Sequence, residues 1–413
     1  MQEGQIQNRW GELSELGVLR KESLDAIFER DSSIKVLCGL RRAGKSYLLR
    51  QVGYTLIQKG VPESNIIYIN KDSMEVAFPS NATTLKEYIK HFLSTQKPKG
   101  KVYLLLDDTQ YISEWETVTD NYIPGNYEII LVSPTIITLS KKFAIIPVFP
   151  FSFTEYIKAK AIKPSRSAYI RYMSEGGLPE LLYMPNDHNI RCHYVSVVKD
   201  TTLLRNVIHP NTIKDTLLLE EILMLLLSTS CRMLSIPDIV KHFSLLERKT
   251  NYETVSVYLS CLENAFLIAR CERRDVKNDK IISGQYKFYA NDLAFRNICP
   301  SHKIEQRLEN AVYLELIQAG FDVYTAYLRN KEIDFLAVRG GEKICLQVIN
   351  DPLSEAEVEY KYTQLKAVPA NYTKLVVSTK ETISSSLGDI SHINIWSLSD
   401  ALRQGATSSP AEI

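Results

Sequence analysis

The 413-residue chain contains no Cys-x-x-Cys pair. Its seven cysteines, at 38, 192, 231, 261, 271, 299 and 345, are dispersed and no histidine cluster accompanies them. Zinc-site spacing is therefore missing, and an odd, scattered count does not make a disulfide framework. Cys38 and Cys345 lie in apolar runs and are expected to be packed thiols. Neither charge is in excess: 49 Lys plus Arg face 48 Asp plus Glu, for a net charge of +1. A globally basic nucleic-acid coat and an acidic tail are both excluded, although a local basic face is not. Long hydrophobic runs are also missing. The longest, Leu217–Leu227, includes Glu220 and Glu221 and is too short to span a bilayer, so a buried helix is expected there. The N-terminal MQEGQIQNRWGELSELG is polar and does not fit a secretory signal, so a cytoplasmic chain without membrane contact is expected. A guanine-reading Asn-Lys-x-Asp does not occur, because Asn70-Lys71-Asp72-Ser73 misses its last position.

What is present is a regular alternation. Residues 34–38 (IKVLC) form a short apolar run, a Gly-rich turn follows, and SYLLRQVGYTLIQKG then places apolar residues at helical spacing. Three more short apolar runs, Asn65–Ile69, Val102–Leu106 and Tyr127–Val132, are separated by helical stretches such as Leu85–Leu93. Strands alternating with helices predict a parallel sheet covered by helices. From about 152 to 230 the pattern is helical. Two helices are predicted next: SIPDIVKHFS, with Ser235 as N-cap and Pro237 early, and NYETVSVYLSCLENAFLIARCER. The basic RRDVKNDK leads to a strand-like IISGQYKFYA, and helix, helix, hairpin is a winged-helix order. A further helix, EQRLENAVYLELIQAG, precedes strands predicted at 321–326, 332–339, 343–349, 374–379 and 393–397. Length alone suggests two to four domains at about 100–200 residues each. Weak boundaries near 165, 230 and 300, by Pro164 and Pro300, give segments 1–165, 166–230, 231–300 and 301–413.

Gly39-Leu-Arg-Arg-Ala-Gly44-Lys45-Ser46 fits G-x-x-x-x-G-K-[ST] at every position. The glycines let the loop curl so that backbone N–H groups face a phosphate, and the helix adds its positive end. Gly39, Arg42, Ala43, Gly44, Lys45, Ser46 and Tyr47 are the expected nucleotide contacts. Lys45 would reach the β- and γ-phosphates, and the Ser46 hydroxyl would bind Mg²⁺. Arg41 and Arg42 have three readings: phosphate contact, contact with a neighbouring domain, or solvation. Val102–Leu106 ends in Asp107-Asp108. Asp107 is expected in the Mg²⁺ shell and Asp108 beside the attacking water; the bland alternative is a pair of strand-end caps. With no guanine motif, adenine is the default base, which makes ATP and Mg²⁺ the expected cofactors.

Together these segments resemble prokaryotic AAA-type ATP-binding proteins with a C-terminal domain of unknown function that ends in a nuclease-like fold. The resemblance runs from about residue 18 to near the end, through IKVLCGLRRAGKSYLL, NIIYIN, VYLLLDDTQYISEWE, FPFSFTEY, GGLPELL, YKFYANDLAFRN, LENAVYLELIQAGFDVYTA, KEIDFLAV and KICLQVI. It implies an α/β multidomain chain: a P-loop NTPase core with a parallel sheet, a helical segment, a winged helix, and a restriction-endonuclease-like α/β module. Two departures stand out. Asp108 replaces the family's usual Glu, one methylene longer. Ser133-Pro134-Thr135 stands where the family tends to have Gly-Ser-Asn, so Ser133 or Thr135 would be the γ-phosphate sensor if one is kept. Both favour nucleotide binding over fast hydrolysis. Gly176-Gly177-Leu178-Pro179-Glu180 matches a family turn and is expected to be structural. Arg205 is either an arginine finger or, more commonly for such a residue, a helix-surface arginine.

The second helix of the winged helix begins with Asn251, Tyr252, Glu253 and Thr254 and is not clearly basic. Arg248, Lys249, Arg273, Arg274, Lys277 and Lys280 flank it, which suits either DNA phosphates or a solvated face. In the last module a two-residue turn at Gly340-Gly341 pairs Arg339 with Glu342 and sets Asp334 opposite Gln347. Nucleases of the Asp…Glu-x-Lys type place metal-binding carboxylates on such strands, with a helix glutamate that would here be Glu309. The Glu-x-Lys position reads Gln347-Val348-Ile349, so Glu309, Asp334 and Gln347 form a degenerate site without its lysine. Lys343 is about 20 Å from Ile349 along the strand and does not replace it. The expected function is a slow Mg²⁺-dependent ATPase that switches contacts with DNA, a protein partner or a second copy. The alternatives are an ATP-regulated DNA endonuclease and a nucleotide-binding scaffold without turnover.

Overall fold

The computed structural model describes residues 17–70, 79–107, 109–122, 126–137, 143–299, 304–329, 331–350, 355–380 and 388–404. The chain divides into two compact units, Met1–Val148 and Phe149–Ile413. The first contains, in chain order, α1 (Lys21–Glu29), β1 (Ile34–Cys38), α2 (Lys45–Gln58), β2 (Ile66–Ile69), α3 (Ala82–Gln96), β3 (Val102–Leu106), α4 (Glu116–Tyr122), β4 (Tyr127–Ser133) and β5 (Ala144–Pro147). Its five strands form one parallel sheet in the order β2-β3-β4-β1-β5. Every residue of β1 and β2 is buried, as expected for strands covered on both faces. Leu37, Leu48, Leu49, Val52, Tyr68, Leu105 and Ile130 join one core that seats α2 on the sheet. The sequence reading places four of these strands and misses β5. That strand is four residues long and ends in proline, too short to give a periodic signal.

The second unit begins with α5 (Phe153–Lys160), α6 (Arg166–Glu175) and α7 (His188–Thr202). A π-helical turn, Leu203–Ile208, links α7 to the short α8 (His209–Asn211). There follow α9 (Thr216–Ser228), β6 (Met233–Leu234), α10 (Ile236–Leu245), α11 (Tyr252–Asn264), β7 (Ile268–Asp275), β8 (Lys280–Ala290) and α12 (Leu293–Asn297). The unit ends with α13 (Ile304–Gln318), β9 (Asp322–Leu328), β10 (Lys331–Arg339), β11 (Glu342–Ile349), α14 (Glu355–Lys366), β12 (Thr373–Ser378), β13 (Ile390–Asn394) and α15 (Leu398–Gln404). Ser235 caps α10 as its sequence predicts, accepting from Asp238 N at 3.1 Å. The helix predicted through Arg273 stops at Asn264. Phe266 turns left-handed (φ 57°), Leu267 N bonds back to Leu262 O at 3.1 Å, and the chain leaves as β7. The last strand is also displaced from its predicted 393–397: β13 pairs with β12, and where β12 ends at Ser378 its partner ends at Asn394.

Strands β6 to β13 form one eight-stranded sheet, in the order β13-β12-β11-β10-β9-β7-β8-β6. The β7–β8 hairpin and the C-terminal strands therefore share a sheet, joined where β7 runs parallel to β9. All seven cysteines are free, and Cys38 and Cys345 are fully buried. Among the described residues no helix is long and apolar enough to cross a membrane.

Candidate phosphate-binding site and C-terminal carboxylate cluster

β1 lies between β4 and β5, so the loop after Cys38 opens at the carboxyl edge of the parallel sheet, where such sheets leave a crevice. Val148 N donates to Cys38 O at 2.6 Å, and a Cβ on residue 39 would stand 2.1 Å from Val148 O, so only glycine fits there. Gly44 caps α2 without a side chain. Among the described residues, the first N–H of this helix with a main-chain acceptor is that of Leu48, donating to Gly44 O at 2.9 Å. The N–H groups of Lys45, Ser46 and Tyr47 thus remain at the positive helix end, which favours an anion. Ser46 and Tyr47 are exposed and Ala43 is buried. Arg42 is exposed at φ 66°.

Lys45 is buried, and its Nζ donates to the carbonyls of Gly39 and Leu40, both at 2.8 Å. Burial pulls this ammonium down to about 8; Cys38 and Asp107 oppose the shift and Arg41 adds to it. The same burial pushes the Cys38 thiol up to about 11. Asp107 follows β3 and is buried. Its N–H donates to Ile69 O at 2.8 Å, and its Oδ2 accepts from Asn70 Nδ2 at 2.9 Å. Asn70 is a positioning residue that the sequence motif does not reveal. The available signal is a polar residue ending the strand next to β3. Arg20 is likewise outside any motif, yet it is buried and its Nη1 donates to Ala43 O at 3.2 Å. Asp108 lies outside the described residues. Ser133 ends β4 beside Cys38 of β1, and its hydroxyl donates to Thr135 O at 2.6 Å and accepts from Thr135 N at 3.3 Å.

In the second unit, Arg339 pairs with Glu342 and Phe335 with Leu346, a register that sets Asp334 opposite Gln347. Asp334 Oδ2 accepts from Val348 N and from Lys361 Nζ, each at 2.7 Å. Lys361 also donates to Val348 O at 2.9 Å and to Gln347 Oε1 at 3.3 Å, while Gln347 Nε2 donates to Gln364 Oε1 at 2.6 Å. Glu309 accepts from Lys287 Nζ at 2.8 Å and Tyr289 OH at 2.9 Å, and Lys287 also reaches Glu332 at 2.6 Å. Burial raises the Glu309 carboxyl; Lys287 opposes this and Asp334 reinforces it. The structure thus gathers Glu309, Asp334 and Gln347 into one cluster and adds two lysines that the motif search misses. Lys361 lies on α14, twelve positions beyond the place where the motif would carry its lysine.

Three arginines around α11 are paired within the unit. Arg248 meets Asp215 at 2.9 Å and Glu221 at 3.2 Å, Arg274 meets Asp279 at 2.9 Å, and Arg270 pairs with Glu263. The helix itself, YETVSVYLSCLEN, contains no Lys, Arg or His. Arg205 is exposed on the π-helical turn. A cavity of about 620 Å³ in this unit is bordered by Arg171, Glu175, Arg191, His188 and Cys192. Glu175 there is held by Arg171 at 2.8 Å, Arg191 at 2.9 Å and Tyr156 OH at 2.8 Å, which depresses its carboxyl against the effect of burial.

A five-stranded parallel sheet, a phosphate loop closing into α2 and a carboxylate at the end of β3 define a P-loop nucleoside-triphosphatase core. Residues 31–157 match the family model described as an AAA domain. Residues 166–301 match a domain of unknown function (DUF8612). An uncharacterized protein of Haemophilus influenzae is 28% identical over 370 residues, spanning 86% of this chain and 90% of the relative. An uncharacterized protein of Methanocaldococcus jannaschii is 26% identical over 378 residues, spanning 84% and 82%. Among solved structures, the Walker-type ATPase of Pyrococcus abyssi superposes with a TM-score of 0.44 at 14% identity, covering 68% of this chain and 95% of that one.

Proposed function

We propose that the protein binds ATP with Mg²⁺ at the Gly39–Tyr47 loop, hydrolyses it slowly, and uses the bound state to switch contacts with a protein partner. The observation that carries this reading is Lys45. It is a buried ammonium whose hydrogen-bond partners among the described residues are main-chain carbonyls, at the N-terminal end of α2 and within electrostatic reach of Asp107. The donor set fits a triphosphate: one cation, a helix terminus, the Ser46 hydroxyl and a carboxylate for the metal. Bound ATP would supply a γ-phosphate open to attack by water. Lys45 would turn from Gly39 O and Leu40 O toward the β- and γ-phosphates. Ser46 and Asp107 would hold Mg²⁺, with Asn70 fixing the carboxylate, and Asp108 would face the attacking water. Binding is tested by isothermal titration with Mg-ATP; no heat of binding and no thermal shift would overturn it.

Slow turnover is favoured by two features. Asp108 is one methylene shorter than the usual glutamate, and the Ser133 hydroxyl is committed to its own turn with Thr135. Basal phosphate release is expected well below the ~1–10³ s⁻¹ of ordinary enzymes, and Asp108→Glu is expected to raise it or leave it unchanged. A fast basal rate that collapses in Asp108→Glu would show instead that the aspartate is the tuned base. Complete absence of release, with binding intact, would favour the scaffold reading.

The arrangement α9-β6-α10-α11-β7-β8 supports a winged helix, and its charge supports a protein partner over DNA. A major-groove helix gains affinity from cations near phosphates. Here α11 has none, and Arg248, Arg270 and Arg274 already face carboxylates. Fluorescence anisotropy with duplex DNA at physiological salt is expected to show no binding tighter than the ~10⁻⁴–10⁻⁶ M of nonspecific contacts. Tighter binding that weakens steeply with salt would restore the DNA reading.

A further inference from the structure

We propose that Lys361 is the resident cation of the C-terminal site, standing where a nuclease-like module would hold a divalent metal ion, and that the site is therefore metal-independent. The inference rests on the nuclease-like reading of this module. Three oxygens from three different groups converge on Lys361 Nζ: the Asp334 carboxylate at 2.7 Å, the Val348 carbonyl at 2.9 Å and the Gln347 amide oxygen at 3.3 Å. Carboxylate, main-chain carbonyl and amide oxygen are the ligand types a hard divalent cation takes. Their spacing, however, suits an ammonium. N–H···O bonds run to about 2.7–3.2 Å, a range that holds the Asp334 and Val348 contacts with Gln347 just beyond it, whereas oxygen ligands approach Mg²⁺ or Ca²⁺ to about 2.0–2.6 Å. An ammonium carries three donors and here meets three acceptors, so its hydrogen-bonding capacity is met.

The surroundings hold this arrangement in place. Gln364 accepts from Gln347 Nε2 at 2.6 Å, which turns the oxygen end of Gln347 toward Lys361. Gln364 and Lys361 sit three residues apart on α14, so one helix face delivers both the cation and the clamp. The Val348 N–H takes a second lone pair of Asp334 Oδ2 at 2.7 Å. Beside it, the buried Lys287 ammonium pairs with both Glu309 and Glu332. A divalent ion would have to displace one lysine and settle near another. The residues therefore do not fit the metal that the fold implies, and we derive no hydrolytic step through one.

The test is a Mn²⁺ titration of nucleotide-free, full-length protein, read by the loss of the free-ion paramagnetic resonance signal. Wild type is expected to show no Mn²⁺ site that depends on Asp334. Lys361→Gln keeps an amide donor for Asp334 but removes the charge. It is expected to gain one Mn²⁺ site at least about tenfold tighter than any in wild type, the scale on which ligand shells tune metal affinity. Adding Asp334→Asn should abolish that site. Circular dichroism melts confirm that each variant is folded; Lys361→Ala, which lacks the amide, is expected to be stabilised by Mn²⁺. The proposal is overturned if wild type binds Mn²⁺ through Asp334, or if folded Lys361→Gln binds it no better than wild type. Incubation with plasmid DNA separates the two levels. Wild-type cleavage that is lost in Asp334→Ala would sink the reading of the module as nuclease-dead, whereas Asp334-dependent Mn²⁺ binding without cleavage sinks only the lysine proposal.

Discussion

Lys45→Ala is expected to weaken Mg-ATP binding by at least about 100-fold. Hydrogen bonds to charged groups contribute roughly 1.5–3 kcal/mol each, and the ammonium would serve two phosphates, so about 3 kcal/mol is the lower bound; 1.4 kcal/mol corresponds to a factor of ten. The fold should survive the change. The side chain is buried and, among the described residues, donates to the carbonyls of Gly39 and Leu40, so the variant loses those two hydrogen bonds but also removes a desolvated charge. Titration calorimetry reads the affinity and a thermal melt reads the fold. Binding within tenfold of wild type would contradict the assignment. The same lysine gives a pH signature. Burial holds it at about 8 in the folded protein, below the ordinary 10.5 of a lysine. Phosphate favours the charged form, so above pH 8 binding must take up a proton, and affinity should fall by up to about tenfold per pH unit. Stability runs the other way. The unfolded chain holds more protons between those two values, so this residue's contribution to stability rises with pH through that window.

The strand–loop–helix around Lys45 is legible because its signals are local: a β-branched run, two glycines at fixed offsets and a helical period. The register of β10 and β11 is legible for the same reason, since a Gly-Gly turn counts the pairs outward from itself. What escapes is contributed from a distance. Asn70 reaches Asp107 across neighbouring strands, Arg20 reaches the loop from before α1, and Lys361 enters the carboxylate cluster from a helix outside the motif. Helix ends are the other weak point. Residues 265–273 continue an apolar pattern compatible with α11, and only the left-handed Phe266 and pairing with β8 make β7 a strand. The order helix, helix, hairpin reads correctly, but nothing local predicts that the hairpin joins the C-terminal strands in one sheet.

Gly176→Ala is expected to destabilise the second unit strongly. The Gly176-Gly177 turn is where the backbone closes on Asp292. Gly177 N donates to Asp292 Oδ2 and Ala294 N to Asp292 Oδ1, both at 2.8 Å, and Phe151 N donates to Gly177 O at 2.8 Å. Gly176 has φ 81°, and a Cβ there would lie 2.4 Å from Asp292 Oδ1 and 2.7 Å from Ala294 N. Left-handed strain costs about 1–3 kcal/mol and overpacking a similar amount, so a loss of roughly 3 kcal/mol or more is expected. At about 2–4 °C per kcal/mol, the melting temperature should drop by on the order of 10 °C. A drop of less than a few degrees would show that the turn can relax. The carboxylate adds a pH dependence. Burial pushes Asp292 from 3.8 up to about 7, against the Ala294 and Gly177 N–H groups, and burial likewise pushes Glu315 up to about 7. Both folded values lie above the unfolded ones, so the native state binds more protons between about pH 4 and 7 and stability should decline as pH rises through that window. Glu175, depressed by its ion pairs, acts in the opposite sense: its contribution is lost as pH falls through its lowered value. Thermal melts from pH 4.5 to 8 should therefore show a higher midpoint near pH 5 than near pH 8. Asp292→Asn should flatten that slope, at the cost of an amide N–H set against Gly177 N–H; an unchanged slope would mean that Asp292 is ionised throughout and that Glu315 alone carries the dependence.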